Sequence, residues 1–196
     1  MPQKKQTAVI IDWFAYKPED MKDKQIRGEF PRGFYLATGH LGKKSKSKIL
    51  YVGISKGDLV DRLNHHHKLG KGERIPGEKI WLGEIATGGM PGRRKKKTPR
   101  ELDDAEGALI FYLQPPLNDR KKETPPKAVA VLNRWWSDDG KTRREPAHPD
   151  WPILIDHMLS EQDVAEALLV WKNRRRLLKL RRQNGRWEKP GPRARD

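Results

Sequence analysis

Between residues 33 and 53 the chain reads GFYLATGHLGKKSKSKILYVG. Two runs rich in aromatic and β-branched residues, GFYLAT and KILYVGIS, flank the glycine-containing basic loop HLGKKSKSK. Runs of this composition favour extended backbone, and a short glycine-containing connection between them predicts an antiparallel pair. This pair constrains everything around it.

The flanking segments supply further elements. AVIIDWF, residues 8–14, reads as a short buried strand or a helical turn. SKGDLVDRLNHHHK places Leu59, Leu63 and His66 at helical spacing and predicts a short amphipathic helix. KIWLGEIAT alternates as a third strand would. Thr98-Pro99-Arg100-Glu101 is a capping-box pattern opening the helix RELDDAEGALIFYLQ, with Leu102, Ala105, Leu109 and Tyr112 on one face. Pro115-Pro116 ends it. The order strand, strand, helix, strand, helix predicts an α+β fold, a small sheet flanked by helices.

Beyond PPLNDRKKETPP the character changes. KAVAVLNRWW reads as a helix, SDDGKTRREPAHPD as a linker, and Ser160…Asp163 as the cap of a long helix with Val164, Leu168 and Trp171 on its apolar face. From Lys172 onward there are 11 Lys or Arg against two acids. The expected organisation is an N-terminal extension over 1–29, a core over 30–124 and an α-rich basic extension over 125–196. The segment past Trp171 is mostly charged, so the core is expected to survive its deletion.

The 196 residues carry a formal net charge of +16. A surplus that large points to a polyanionic partner, with nucleic acid the commonest; a merely solubilised or ribosomal-type surface is the plainer reading. No basic segment has a strong lipid-insertion face, and no apolar run approaches the ~20 residues that span a bilayer. The chain has no cysteine, which excludes disulfides and thiolate metal sites and fits the cytoplasm. The start of the chain does not read as a signal peptide.

Several residues recur in an order that carries chemistry. Tyr35 and Tyr51 sit in the paired runs, Arg62 follows Tyr51 by 11 residues, His66 follows Arg62 by four, Glu106 lies in the long helix, and Asn118 follows Glu106 by 12 in the Pro-Pro-Leu-Asn turn. Singly, each has an ordinary explanation: strand aromatics, a solvated arginine, one more helix acid, a turn asparagine. Together, over residues 30–120, they resemble the GIY-YIG nuclease superfamily. The histidine at position 66 is similar to certain type II restriction endonucleases of that superfamily. The resemblance implies a three-stranded antiparallel sheet flanked by helices, one divalent metal, Mg²⁺ or Mn²⁺, held by Glu106, and phosphodiester hydrolysis using Tyr35, Tyr51, Arg62, His66, Glu106 and Asn118. Two departures stand out. Phe34 replaces the usual isoleucine, and Ile54 stands where many members have a lysine after the second motif. Lys56, two residues on, or His66 could do that lysine's work.

The chemistry is coherent on its own terms. A single carboxylate can hold Mg²⁺ while water and phosphate oxygens fill the other positions. A guanidinium can fork two phosphate oxygens. A tyrosine hydroxyl, with a reference pKa of about 10, needs a nearby cation or acceptor to serve as a base near neutral pH. Tyr35 is accordingly the expected base, with His66 as partner. Consecutive His65, His66 and His67 point about 100° apart on a helix and do not make a good chelate.

Basic residues near these groups are candidate phosphate contacts: Lys43, Lys44, Lys46, Lys48 and Lys56, then Arg93, Arg94, Lys95, Lys96 and Lys97, then Arg174, Arg175, Arg176, Arg181 and Arg182 on the expected terminal helix. The expected function is a metal-dependent DNA endonuclease, possible as a homodimer on DNA. The alternatives are a non-catalytic nucleic-acid binder of the same fold or an RNA-directed nuclease.

Overall fold

The computed structural model describes residues 7–22, 26, 30, 32–41, 47–64, 79–86, 99–136, 142–144, 151–161, 164–183 and 186–188. Among them are ten strands: β1 (Thr7–Tyr16), β2 (Gly33–Gly39), β3 (Lys48–Ser55), β4 (Lys79–Ala86), β5 (Val129–Trp136), β6 (Arg143–Arg144), β7 (Leu154–Glu161), β8 (Val164–Trp171), β9 (Arg174–Gln183) and β10 (Arg186–Glu188). Two α-helices accompany them, α1 (Leu59–Asn64) and α2 (Pro99–Leu113).

The elements of the first half form where the pattern puts them. GFYLAT and KILYVGIS are β2 and β3, paired antiparallel with Tyr35 opposite Gly53. KIWLGEIAT is β4, antiparallel to β2. Leu102, Ala105, Leu109 and Tyr112 are buried along α2. Thr98, the expected cap, lies outside the described residues.

The expected fold class does not hold. Its small three-stranded sheet is part of a ten-stranded sheet, and its α-rich extension is built of strands. KAVAVLNRWW is β5, with Val129, Val131, Asn133 and Trp135 buried in strict alternation. The segment expected as one long terminal helix from Ser160 is β8 and β9, paired antiparallel, with β8 also antiparallel to β7. In β8, Ala165, Ala167 and Leu169 point inward; in β9, Leu178 and Leu180 do. Ala, Glu, Leu, Lys and Arg all favour helix weakly, and cross-strand pairing over a shared core overrides that preference. Since Leu178 and Leu180 belong to the main core, the segment past Trp171 is not dispensable to the fold.

The strand order is β10-β9-β8-β7-β5-β1-β4-β2-β3, with β6 beside β5. β1 therefore lies at the centre, parallel to β5 and antiparallel to β4. Both ends of the order meet α2: β3 packs on it, and Trp187 of β10 meets Phe111 edge-on at 5.5 Å. The sheet thus curls around this one helix. Inside the curl, Trp13 stacks on Trp135 at 5.5 Å, and Trp135 stacks on Trp151 at 5.2 Å. Trp81 meets Trp135 edge-on at 5.3 Å. A second, smaller cluster on the opposite face joins Phe30, Tyr35, Ala37, Ile80 and Leu82 to Leu63 of α1.

Candidate functional site

The site begins with β3, the terminal strand of the sheet order, whose outer edge would otherwise expose backbone donors and acceptors. The turn after α2 closes that edge. Leu117 N–H donates to the Leu50 carbonyl at 2.9 Å. Asn118 spends its whole amide on Val52, accepting from its N–H at 2.9 Å and donating to its carbonyl at 2.8 Å. Asn118 is buried, so its place in the site is as a positioning residue that clamps the Pro115–Asn118 turn onto β3.

Tyr35 and Tyr51 are diagonal neighbours on adjacent strands, with ring centroids 5.7 Å apart and planes 18° from parallel. Gly53 makes this possible. A Cβ there would lie 2.5 Å from Tyr35 Cζ and 2.8 Å from Tyr51 Cε1. The glycine of the YVG run is thus explained by the space that the two rings occupy. The Tyr35 hydroxyl is hydrogen-bonded to Tyr51 and to Arg62 of α1. Burial pushes its pKa well above the usual tyrosine value; Tyr51 adds to the rise and the Arg62 guanidinium opposes it. Tyr35 is 1% exposed, whereas Arg62 is exposed and Tyr51 half-buried.

Across the pocket stands Glu106. Its carboxyl side chain is 12% exposed, and burial raises its pKa from the ordinary glutamate value. Lys121 opposes that rise by hydrogen bond and charge, Asp103 reinforces it, and the Ile54 backbone opposes it. Lys121 Nζ lies 2.5 Å from Glu106 Oε2 and 3.6 Å from Asp103 Oδ1. The sequence reading missed Lys121. It is held by the loop that follows α2. Gln114, at φ 51°, takes the left-handed conformation just past the helix end, and Lys121 takes another, at φ 62°. The Gln114 side chain donates to the carbonyls of Phe111 at 2.7 Å and Lys122 at 3.1 Å, tying the loop to the helix. Nothing in Asn-Asp-Arg-Lys announces this backbone path.

One open pocket of about 640 Å³ collects Tyr35, Tyr51, Arg62 and Glu106, with Asn118 in its wall. Lys56 also lines it and pairs with Asp103 at 3.2 Å. Lys48 opens β3, beside Gly39 of β2. Arg174, Arg175, Arg176, Arg181 and Arg182 are exposed on β9, a strand rather than the expected helix. His66, Lys43, Lys44, Lys46, Arg93, Arg94, Lys95, Lys96 and Lys97 lie outside the described residues.

Glu106 suits a divalent cation through the chemistry of its surroundings: a charged carboxylate oxygen faces an open pocket and already attracts an ammonium. Among the described residues no three His, Cys, Asp or Glu side chains gather as a preformed cage. A cation here would keep most ligands as water and phosphate oxygens, the habit of Mg²⁺.

Comparison with family models, with curated proteins and with solved structures finds no significant match to this chain. No described helix is long and apolar enough to cross a membrane.

Proposed function

We propose that this chain is a metal-dependent endonuclease that hydrolyses phosphodiester bonds in DNA. One observation carries the reading. Tyr35, Tyr51, Arg62 and Glu106, spread over more than seventy positions of sequence, line a single pocket, and they are residues that the resemblance to GIY-YIG nucleases singles out. The net charge of +16 supports a polyanionic substrate.

The pocket has a tyrosine–arginine end and a carboxylate end. Arg62 is exposed and can fork two oxygens of an incoming phosphate while its other bond holds the Tyr35 hydroxyl. As tyrosinate, Tyr35 would take the proton of an attacking water, with the Arg62 guanidinium beside it to favour the charged form. Glu106 would hold Mg²⁺ or Mn²⁺, which when bound neutralises charge on the reacting phosphate. Asn118 and Gly53 keep β3, and with it both rings, in register. Lys56 sits where it can meet a flanking phosphate. The reading implies a cytoplasmic protein, and cutting both strands would take a homodimer on DNA or two successive nicks.

The Lys121–Glu106 ion pair favours a second reading, a non-catalytic nucleic-acid binder whose pocket already holds its cation. Supercoiled plasmid, incubated with Mg²⁺, Mn²⁺ or EDTA, separates the two. Nicking that needs the metal, and that Glu106→Gln lowers at least about a hundredfold without loss of DNA binding, is the expected result. Near-normal nicking by the variant removes Glu106 from the mechanism; no nicking by the native chain supports the binder.

A further inference from the structure

A second cavity, of about 600 Å³, lies between the last turn of α2 and strands β8 to β10. Its walls include Phe111, Trp171 and Trp187, and Arg174, Arg175 and Arg176 line it as well. Trp187 is half-buried and held in place by donating to the Glu123 carbonyl at 2.6 Å. The Trp171 indole N–H is a buried donor with no hydrogen-bond partner among the described residues. The three arginines are exposed, and among the described residues no acidic side chain pairs with them. The two cavities meet α2 at adjacent residues, Ile110 facing the candidate site and Phe111 facing this cleft.

Aromatic walls beside three exposed guanidiniums, with no acidic partner among the described residues, call for a ligand that is flat and apolar in one part and anionic in another. A nucleobase flanked by phosphates has that chemistry, and base–aromatic stacking with a basic surround is how single strands are commonly held. A base inside a duplex already has both faces covered, so a ring-lined cavity can take only a base that has left the stack. A purely apolar ligand would leave the arginines unanswered.

We infer that this cleft binds an unpaired nucleobase of a single-stranded nucleic acid, with Arg174, Arg175 and Arg176 on the adjoining phosphates. The inference rests on the nucleic-acid reading of the chain and extends it to a second site. Strand and duplex then differ at this cleft, while the arginines serve both.

The test measures binding of a labelled 12-nucleotide single strand, its duplex, and an abasic single strand of equal length, at fixed salt. The native chain should bind the abasic strand about tenfold or more weakly than the normal one, since each stacked base contributes roughly 1–3 kcal/mol and 1.4 kcal/mol is tenfold. Trp187→Ala should lose about tenfold on the single strand and less than twofold on the duplex, and Trp187→Phe should restore most of the loss. Arg175→Gln should weaken both and lower the salt slope by about one unit. Equal affinity for normal and abasic strands overturns the inference even if Trp187→Ala proves unfolded. Tight binding of a mononucleotide alone, or of poly-glutamate with the same Trp187 dependence, also overturns it, in favour of those ligands. If the native chain binds neither strand nor duplex, the nucleic-acid reading falls as well; if it binds both and only the Trp187 and abasic effects are missing, the cleft inference alone falls.

Discussion

The ammonium of Lys121 lies 2.5 Å from Glu106 Oε2, against a carboxylate that the sheet and α2 have largely withdrawn from water. Lys121 is itself about a third exposed, at 36%, and so can leave. A divalent cation approaching Glu106 therefore meets a competitor already bound. In Lys121→Met the buried carboxylate loses its counter-charge, and the metal-free protein should lose about 1–3 kcal/mol. Mg²⁺ at pH 8 should then raise the melting temperature of the variant more than that of the native chain, because binding to the folded state stabilises it in proportion to affinity. Equal Mg²⁺ shifts in the two proteins would show that Lys121 does not compete.

Such a pair could not be read from sequence, whereas much of the site around it could. Tyr35, Tyr51, Arg62, Glu106 and Asn118 were singled out by their joint resemblance to a family pattern; apolar periodicity placed their strands, helices and turn but gave none of them a role. Lys121 was not singled out, because its position depends on two left-handed residues, Gln114 and Lys121, neither of them glycine. The fold divides in the same way. β2, β3 and β4 carry aromatic and β-branched runs bounded by turn residues. β5 has apolar residues on both faces, which blurs its period of two, and β8 and β9 are written in good helix formers. What makes them strands is pairing with partners: Ala165 sits opposite Leu180, and Ala167 opposite Leu178.

Gly53 offers a sharp test of the tyrosine pair. In Gly53→Ala the added methyl would stand 2.6 Å from the Tyr35 hydroxyl, so the ring must move. Overpacking of this kind costs about 1–3 kcal/mol. Cleavage should fall at least about tenfold with DNA affinity nearly unchanged, since the basic surface is untouched. Full activity in the alanine variant would show that the stacked geometry is not needed.

His157 gives the fold a defined acid sensitivity. It is buried, and its Nδ1 lies 2.5 Å from the Tyr112 hydroxyl. Burial lowers its pKa below 6.5, although hydrogen bonds to the backbones of Glu166 and Pro126 and the charge of Asp156 oppose the shift. The folded state therefore binds the proton less readily than the unfolded one. Stability contributed by neutral His157 is complete above about pH 6.5 and declines as pH falls toward the folded value. Melting temperatures from pH 7.5 to 5 should fall with acid, and His157→Gln, which has no proton to gain, should show a shallower slope. Identical slopes would assign the acid sensitivity to other groups.

Tyr35 sets the last expectation. As a base it must become tyrosinate, and burial together with Tyr51 holds its pKa above the usual range while Arg62 only partly offsets the rise. The deprotonated fraction then grows tenfold per pH unit throughout the neutral and mildly alkaline range. If Tyr35 is the base, single-turnover cleavage at saturating Mg²⁺ should keep climbing from pH 6 to 9, with no levelling above about pH 7.5, where a histidine base of ordinary pKa would be almost wholly neutral. Tyr35→Phe should remove most cleavage without unfolding the chain. Tyr51→Phe should be impaired too, and the double variant should be little worse than Tyr35→Phe, as for groups that act as a unit. Arg62→Met removes the cation that favours tyrosinate and should lower the rate at every pH without introducing a plateau. A native profile that is flat above about pH 7.5 would move the base to another group, and His66 would be the first to substitute.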